Sequence, residues 1–274
     1  MKFVRYGEKG REKPGVLDAD GKLRDLSDQI PDLSGEVLGR LGTLRADGPL
    51  VEGNPRLGPP VAGTGKMVCI GLNYSDHAAE AKMTPPKEPM IFMKATSAIC
   101  GPNDPIELPR GSVSTDWEVE LGVVFGKSAK YLEPDEVMDH IAGFVAINDV
   151  SERDFQIHRS GQFTKGKSCD TFGPVGPWLV TGDEIADPQA LSLSLSVNGE
   201  TMQNGTTADM VFGIVESIAH LSQFMSFQAG DILATGTPAG VGMGMSPQRF
   251  LRAGDDVVLE VEGLGQQRMR VVQG

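Results

Sequence analysis

Cysteine is scarce in this chain: Cys69, Cys100 and Cys169 are the only three in 274 residues. Their number is odd, they lie far apart and none forms a CxxC pair. That argues against a disulfide framework and against a thiolate zinc site, and a reducing cytoplasm is the expected compartment. Apolar runs are short. None approaches the roughly 20 residues that a membrane-spanning helix needs, so no membrane partner is expected. The opening stretch MKFVRYGEKGREKPG meets charge and glycine before any apolar core, so no signal peptide is expected either. A basic excess is missing too. The formal net charge is −12 and the sequence pI about 4.8, with Lys and Arg scattered singly, whereas a phosphate backbone demands clustered cations. Nucleic acid is therefore not an expected partner. The ordinary meaning of such acidity is solubility. An anionic ligand would still need a local cationic pocket of Lys, Arg or a metal.

Hydrophobic residues make up 39% of the chain and charged residues 23%, an ordinary globular balance that excludes long disorder. The length admits one large domain, or a small one beside a larger one. Residues 1 to about 50 read as strand, hairpin and short helix. The hairpin is GVLDADGKLRDL, with Asp20-Gly21 between two alternating runs, and SGEVLGRL suits the helix. A Pro- and Gly-rich stretch from Gly48 to Gly65 reads as linker or surface loop.

Short β-like segments follow: KMVCIGL, PMIFMKA, EVELGVVF, AGFVAIN, PWLVT, LSLSLSVNG, DILATG and DVVLEVEG. Helical pattern is confined to SDHAAEAK, PDEVMDHI and ADMVFGIVESIAHLSQFM. In the last, Val211, Ile214, Val215, Ile218 and Leu221 line one face. Strands dominate and helices interrupt rather than alternate, which disfavours a doubly wound fold and predicts a β-rich α+β architecture.

Five segments could carry chemistry. In DWEVELGVV, strand alternation puts Glu118 and Glu120 on one face. Two such carboxylates repel unless a cation lies between them or one is protonated; the alternative is an edge strand with its polar face in water. The apolar run Ala142–Asn148 ends at Asp149, which reads as a turn residue or helix cap in isolation. Together with Glu118 and Glu120 it would make a hard, oxygen-only site suited to Mg²⁺, Mn²⁺ or Ca²⁺. In NYSDHAAEAK, His77 and Glu80 stand three apart, so on a helix they share a face, and a carboxylate that holds an imidazole makes a general base for water. The plain alternative is a short solvated helix stopped by Pro85-Pro86.

The fourth segment, from Gly161 to Ser168, matches the spacing GxxxxGKS. A phosphate-binding loop of that kind follows a buried strand and opens a helix. This one follows polar QIHRS and runs into DTFGPVGP, so nucleotide binding is rejected, and Lys167 stands as an anion-binding candidate on a Gly-rich loop. The fifth, GDILATGTPAGVG, fails the GxGxxG pattern and reads as a strand leading into a tight loop that brings amides and the Thr237 hydroxyl near a ligand. His140 and His220 read as structural; His158 is a candidate to line a pocket.

In order, GLNYSDHAAE, IFMKATSAICGP, DWEVELGVVFG, INDVSERDFQ, GKSCDTFGPVGPWLVT and ILATGTPAGVG closely resemble the fumarylacetoacetate hydrolase family, over about residues 66 to 274. The resemblance implies a β-rich roll of curved mixed sheets in residues 61–274, preceded by a small N-terminal domain and linker in 1–60, and a homodimer. It implies that Glu118, Glu120 and Asp149 hold a metal, Mg²⁺ or Mn²⁺, with Ca²⁺ able to replace it in a crystal. Lys167 matches the family's pocket lysine, Arg153, Gln156 and Thr237 its substrate-contacting positions, and Lys94 a recurring lysine at the pocket edge. His77 and Glu80 match the pair that activates water.

Residues 61 to 75 hold no acid, so a fourth carboxylate ligand found in the mammalian prototype is missing. Acylpyruvate hydrolases often read GRNY and FLKP where this chain has Gly71-Leu72-Asn73-Tyr74 and Phe92-Met93-Lys94-Ala95. The KGKSCDTFGP run is closer to members that cleave 2,4-diketo-3-deoxy sugar acids, such as the L-rhamnonate or L-fuconate. The expected activity is that of a hydrolase of carbon–carbon bonds in ketonic substances, acting on a small anionic keto acid. Oxaloacetate decarboxylation, an isomerase of the 2-hydroxyhepta-2,4-diene-1,7-dioate type and a non-catalytic metal-dependent binding protein are the alternatives.

Overall fold

A computed structural model describes residues 1–80 and 82–274. Ala81, inside the stretch expected to be helical, lies outside the described residues. The architecture is the β-rich α+β type that the strand-dominated pattern predicts, built on one ten-stranded mixed sheet and one five-stranded sheet.

The Val119–Phe125 strand is central. Ile141–Asn148 lies antiparallel on one side of it and Ile232–Ala234 antiparallel on the other. Beyond Ile232–Ala234 the sheet continues through Met67–Gly71, which is parallel to it, and ends at Met90–Lys94. In the other direction it passes through Leu179–Val180 into Lys2–Tyr6, Lys13–Leu17 and Leu23–Asp25. Residues 1–60 thus add their strands to the edge of the same sheet. The five-stranded sheet runs Glu200–Thr206, Ser192–Val197, Asp256–Val261, Gly265–Gln273 and Ile106–Leu108.

Strand alternation explains why both faces of the large sheet are dry. Val119, Leu121, Val123, Phe144 and Ala146 point to one face, where they pack with Leu195, Leu259 and Met269 of the second sheet. Val124, Val145 and Ile147 point to the other, against Leu38, Leu41, Met67 and Ala234. Each such side chain contributes about 1.5–3 kcal/mol by leaving water. All seven residues of Val119–Phe125 are buried, so the solvated-edge alternative for this segment does not hold.

Helices are shorter than the apolar pattern predicts. PDEVMDHI yields only a 3₁₀ turn, Val137–His140, and SGEVLGRL lies in a 3₁₀ segment, Gly35–Thr43. The long pattern around 208–225 condenses to the α-helix Ile214–Leu221. Val211 is left out of it because Asn73 captures the preceding amides: Val211 N donates to the Asn73 carbonyl at 2.7 Å and Phe212 N to its side-chain Oδ1 at 2.9 Å. Among the described residues no helix is long and apolar enough to cross a membrane.

Candidate functional site

The acidic residues converge because of strand register. Val119 pairs with Asn148, so the entry of one strand and the exit of its neighbour lie at the same end of the sheet. Asp149 N donates to the Glu118 carbonyl at 2.9 Å, and Glu118 N donates to Asn148 Oδ1 at 3.1 Å. Glu118, Glu120 and Asp149 are all buried, and one carboxylate oxygen from each lies within 4.8 Å of the others.

Three cations face this cluster. Lys167 Nζ donates to Glu118 Oε2 and to Asp149 Oδ2, both at 2.7 Å. Lys94 Nζ reaches the other Asp149 oxygen and donates to the Val150 carbonyl at 3.0 Å. Arg153 NH2 lies 2.7 Å from Glu118 Oε1 and 2.9 Å from Asp116 Oδ2. Those two contacts are charge contacts outside hydrogen-bond alignment, which leaves a buried guanidinium nitrogen without an aligned acceptor.

Burial alone would raise the Glu118 carboxyl, but Lys167 and Arg153 hold it well below the usual carboxylate range. Burial would likewise depress Lys167 and Arg153, and the facing carboxylates raise both instead. Glu120 behaves in the opposite way. It accepts from the Gly236 amide at 2.8 Å and forms no ion pair with a described residue. Burial first, then the charges of Asp149 and Glu118, push its carboxyl far above the ordinary range.

A donor set of three hard oxygens, one of them uncompensated, suits a divalent cation. The buried Glu/Glu/Asp group is consistent with a divalent metal site.

His77 and Glu80 lie on the Ser75–Glu80 helix, with His77 Nδ1 3.4 Å from Glu80 Oε2. Glu80 is fixed in turn by the Gly240 amide, which stands 3.1 and 3.2 Å from its two oxygens. Asp76, next to the stretch without acids, does not join the cluster. It accepts from His77 N at 2.7 Å and Ala239 N at 3.2 Å, clamping the helix to the 239–243 loop.

A cavity of about 270 Å³ is lined by His77, Glu118, Glu120, Arg153, Gln156, Lys167 and Thr237 together with an apolar wall. Thr237 Oγ1 donates to the Val119 carbonyl at 2.9 Å and accepts from Gln203 Nε2 at 2.8 Å. Three expectations about placement change. Lys94 stands behind Asp149, fully buried, rather than at the pocket edge. Lys167 sits on a helical turn, Thr164–Lys167, not on an open Gly-rich loop. His158 is exposed and does not line the cavity.

Two contributors escape sequence reasoning. Asp116, fully buried, accepts from Arg153 Nε at 2.9 Å, Gly242 N at 2.7 Å and Met243 N at 3.0 Å. Its place two residues before Glu118 in the alternating DWEVEL run is the available signal, although strand structure lapses at Trp117 and Glu118. Gly244 is the other: a Cβ there would lie 2.3 Å from Glu80 Cδ. Nothing local announces that contact.

Residues 66–272 match the family described as fumarylacetoacetate (FAA) hydrolase, C-terminal. A Burkholderia lata protein named "putative hydrolase" is 57% identical over 274 residues, covering 97% of this chain and 97% of its own. The fumarylacetoacetate hydrolase of psychrophilic Exiguobacterium antarcticum is 36% identical and superposes with a TM-score of 0.89 over 100% of both chains. A 2-hydroxyhepta-2,4-diene-1,7-dioate isomerase from Mycobacterium marinum is 31% identical, with a TM-score of 0.76 over 100% of this chain and 98% of that one. With its fold, its acidic centre and these relatives in agreement, the chain belongs to the fumarylacetoacetate hydrolase family.

Proposed function

We propose that the chain hydrolyses the carbon–carbon bond of a 2,4-diketo acid of the acylpyruvate type, giving pyruvate and a second carboxylate. The observation that carries this reading is that Glu118, Glu120, Arg153, Lys167 and His77 line one cavity, with Asp149 bonded to Lys167 and Glu80 beside His77. Glu118, Glu120 and Asp149 would hold Mg²⁺ or Mn²⁺, whose chemistry here is Lewis-acid polarisation of the substrate's oxygens.

The chain's own groups do the rest. Arg153, which lines the cavity beside Glu118, binds the substrate carboxylate. Glu80 accepts from His77 Nδ1–H, which leaves Nε2 to take a proton from water. The resulting hydroxide adds to the distal carbonyl carbon, and the bond between C3 and C4 breaks with its electron pair remaining on C3. The Lys167 ammonium faces the enolate oxygen as negative charge gathers there. The proton held by His77 returns to C3, releasing pyruvate, and the acyl group leaves as its carboxylate.

The Mycobacterium marinum relative supports a second reading, in which the same centre moves a proton between carbons of an unsaturated dioate without splitting water. Product analysis separates the two. Incubation with a panel of 2,4-diketo acids and oxaloacetate, with Mn²⁺ and with EDTA, is expected to give metal-dependent release of one pyruvate and one new carboxylate per turnover. Carbon dioxide from oxaloacetate alone would make the chain a decarboxylase. Silence on every diketo acid, with double-bond migration in a hydroxydienoate, would establish the isomerase.

A further inference from the structure

The cavity lining is of two unlike kinds. Its ionisable members among the described residues are His77, Glu118, Glu120, Arg153 and Lys167. Its apolar wall includes Leu72, Met83, Met90, Phe92, Ile157 and Phe163. These come from several separate segments, so the wall is not one strand's accidental face.

Met90 and Phe92 share a face of the edge strand Met90–Lys94 by alternation. Phe163 packs edge-on to Phe92, with ring centroids 5.7 Å apart. The apolar wall begins directly beside the charged group: Lys167 Nζ lies 4.7 Å from the centre of the Phe92 ring. Leu72 occupies the left-handed region at φ 53. That conformation is strained for a non-glycine residue, so a large apolar side chain lines the cavity where glycine would be less strained. Met83 and Ile157 leave apolar surface in water at 54% and 40% exposure, a cost that a bound apolar group would remove.

Among the described residues, the apolar wall offers no charged partner to a polar tail. A second carboxylate would need a further cation, and the two that line the cavity, Arg153 and Lys167, are taken up by the substrate's carboxylate and enolate oxygen in the proposed reaction. Hydroxyls would need free polar partners. The neutral polar side chains of the lining are Gln156 and Thr237: Gln156 Oε1 accepts from Arg153 NH1 at 3.1 Å and Thr237 Oγ1 donates to the Val119 carbonyl, which leaves the Gln156 amide nitrogen as their one open donor, too few for a polyhydroxylated chain.

We infer that the group carried on the distal carbonyl of the substrate is uncharged and apolar, an alkyl or aryl acyl chain rather than a polyhydroxylated or carboxylate-ended one. This rests on the acylpyruvate reading for the placement of the polar head. It also separates the chain from enzymes whose substrates are charged at both ends.

The test compares kcat/KM, with Mn²⁺ present, for 2,4-diketo acids bearing acetyl, butanoyl, hexanoyl, ω-carboxylated and polyhydroxylated acyl groups. The expected result is a rise of about two- to fourfold per added methylene. The ω-carboxylated compound should be at least about thirtyfold poorer than its methyl-ended counterpart, because its charge would be buried unpaired. A preference for the charged or hydroxylated tail overturns the inference.

If no diketo acid turns over, the functional reading fails but the inference is still measured. Titration calorimetry of the Mn²⁺-loaded protein with 2-oxohexanoate and 2-oxoadipate is expected to favour the former by about tenfold or more, and equal affinity overturns it. Leu72→Arg, and independently Ile157→Arg at a more exposed position, should each move the tail preference toward the carboxylate by about tenfold. Two folded variants with unchanged preference would overturn the assignment of the wall.

Discussion

Asp116 and Arg153 form a buried ion pair that ties two halves of the pocket together. One Asp116 oxygen takes Arg153 Nε at 2.9 Å, and the other takes the Gly242 amide at 2.7 Å. The guanidinium proposed to bind the substrate and the loop that holds Glu80 therefore share one anion. Asp116→Ala leaves Arg153 short of one buried partner and frees two loop amides. Breaking a buried pair of this kind costs about 3 kcal/mol, which urea unfolding would register. The accompanying loss in kcat/KM should fall mainly on KM, because the group displaced positions the substrate. A variant with normal stability and normal KM would show that the pair is incidental.

His77→Gln removes the proposed proton acceptor with little change in volume. Turnover is expected to fall by about 10²–10⁴, while the rise in melting temperature produced by Mn²⁺ stays as in the parent chain. Loss of the Mn²⁺ effect would instead assign His77 to the metal.

Gly244→Ala tests the pair from outside. The added methyl would stand 2.3 Å from Glu80 Cδ, and Gly244 itself is exposed. The Glu80 carboxylate must swing away from His77, so activity should drop nearly as far as in Glu80→Ala. The melting temperature should move by no more than about 2 °C, since an exposed substitution away from the core costs little. Full activity in Gly244→Ala would mean that Glu80 does not need its observed position.

The pattern of what could be read in advance follows from distance along the chain. Glu118 and Glu120 are legible because alternation is a local rule, and Asp149 because the apolar run before it stops there. Their meeting is not local: it depends on Val119 finding Asn148 across the sheet. Lys94 carried the right charge but the wrong depth, since only the pairing of Met67 with Lys94 places it beneath the cluster. The apolar wall is illegible for the same reason. Leu72, Met90 and Phe163 look like unrelated hydrophobic residues until the fold brings their segments to one cavity. The expected helix around 208–225 was shortened by Asn73, more than 130 residues earlier, through bonds that no helical periodicity records.

Stability should fall in acid through Arg56. Its guanidinium donates to Asp104 at 2.7 and 2.6 Å and to Glu12 at 2.9 Å. Burial would raise both carboxyls, but the hydrogen bonds and charge of Arg56 more than offset it and hold both below their usual range. A folded-state value below the unfolded one means the contribution is fully present above about pH 4.5. It is lost as pH drops through the lower folded values. These groups are partly exposed, so solvent screening limits the gain to about 1 kcal/mol. Arg56→Met should flatten the pH dependence of urea stability below pH 5. An unchanged slope would place acid sensitivity elsewhere.

Glu120 offers the sharpest test of the metal centre, because its effects with and without the ion should have opposite signs. Without metal, burial first and then the charges of Asp149 and Glu118 push its carboxyl well above the ordinary range, so folding must work against its ionisation and that cost destabilises the fold. Glu120→Gln removes the titrating group and keeps an oxygen for the Gly236 amide. In EDTA the variant should therefore be more stable than the parent, by about 1–2 kcal/mol. An ion that binds only the folded state adds about 2.7 kcal/mol at a concentration of about 100 times its Kd. The parent chain should show that rise with Mn²⁺, and the variant little of it, so the order of stability reverses on adding metal. If the variant gains as much from Mn²⁺ as the parent does, Glu120 is not a ligand and the raised carboxyl is only a consequence of burial.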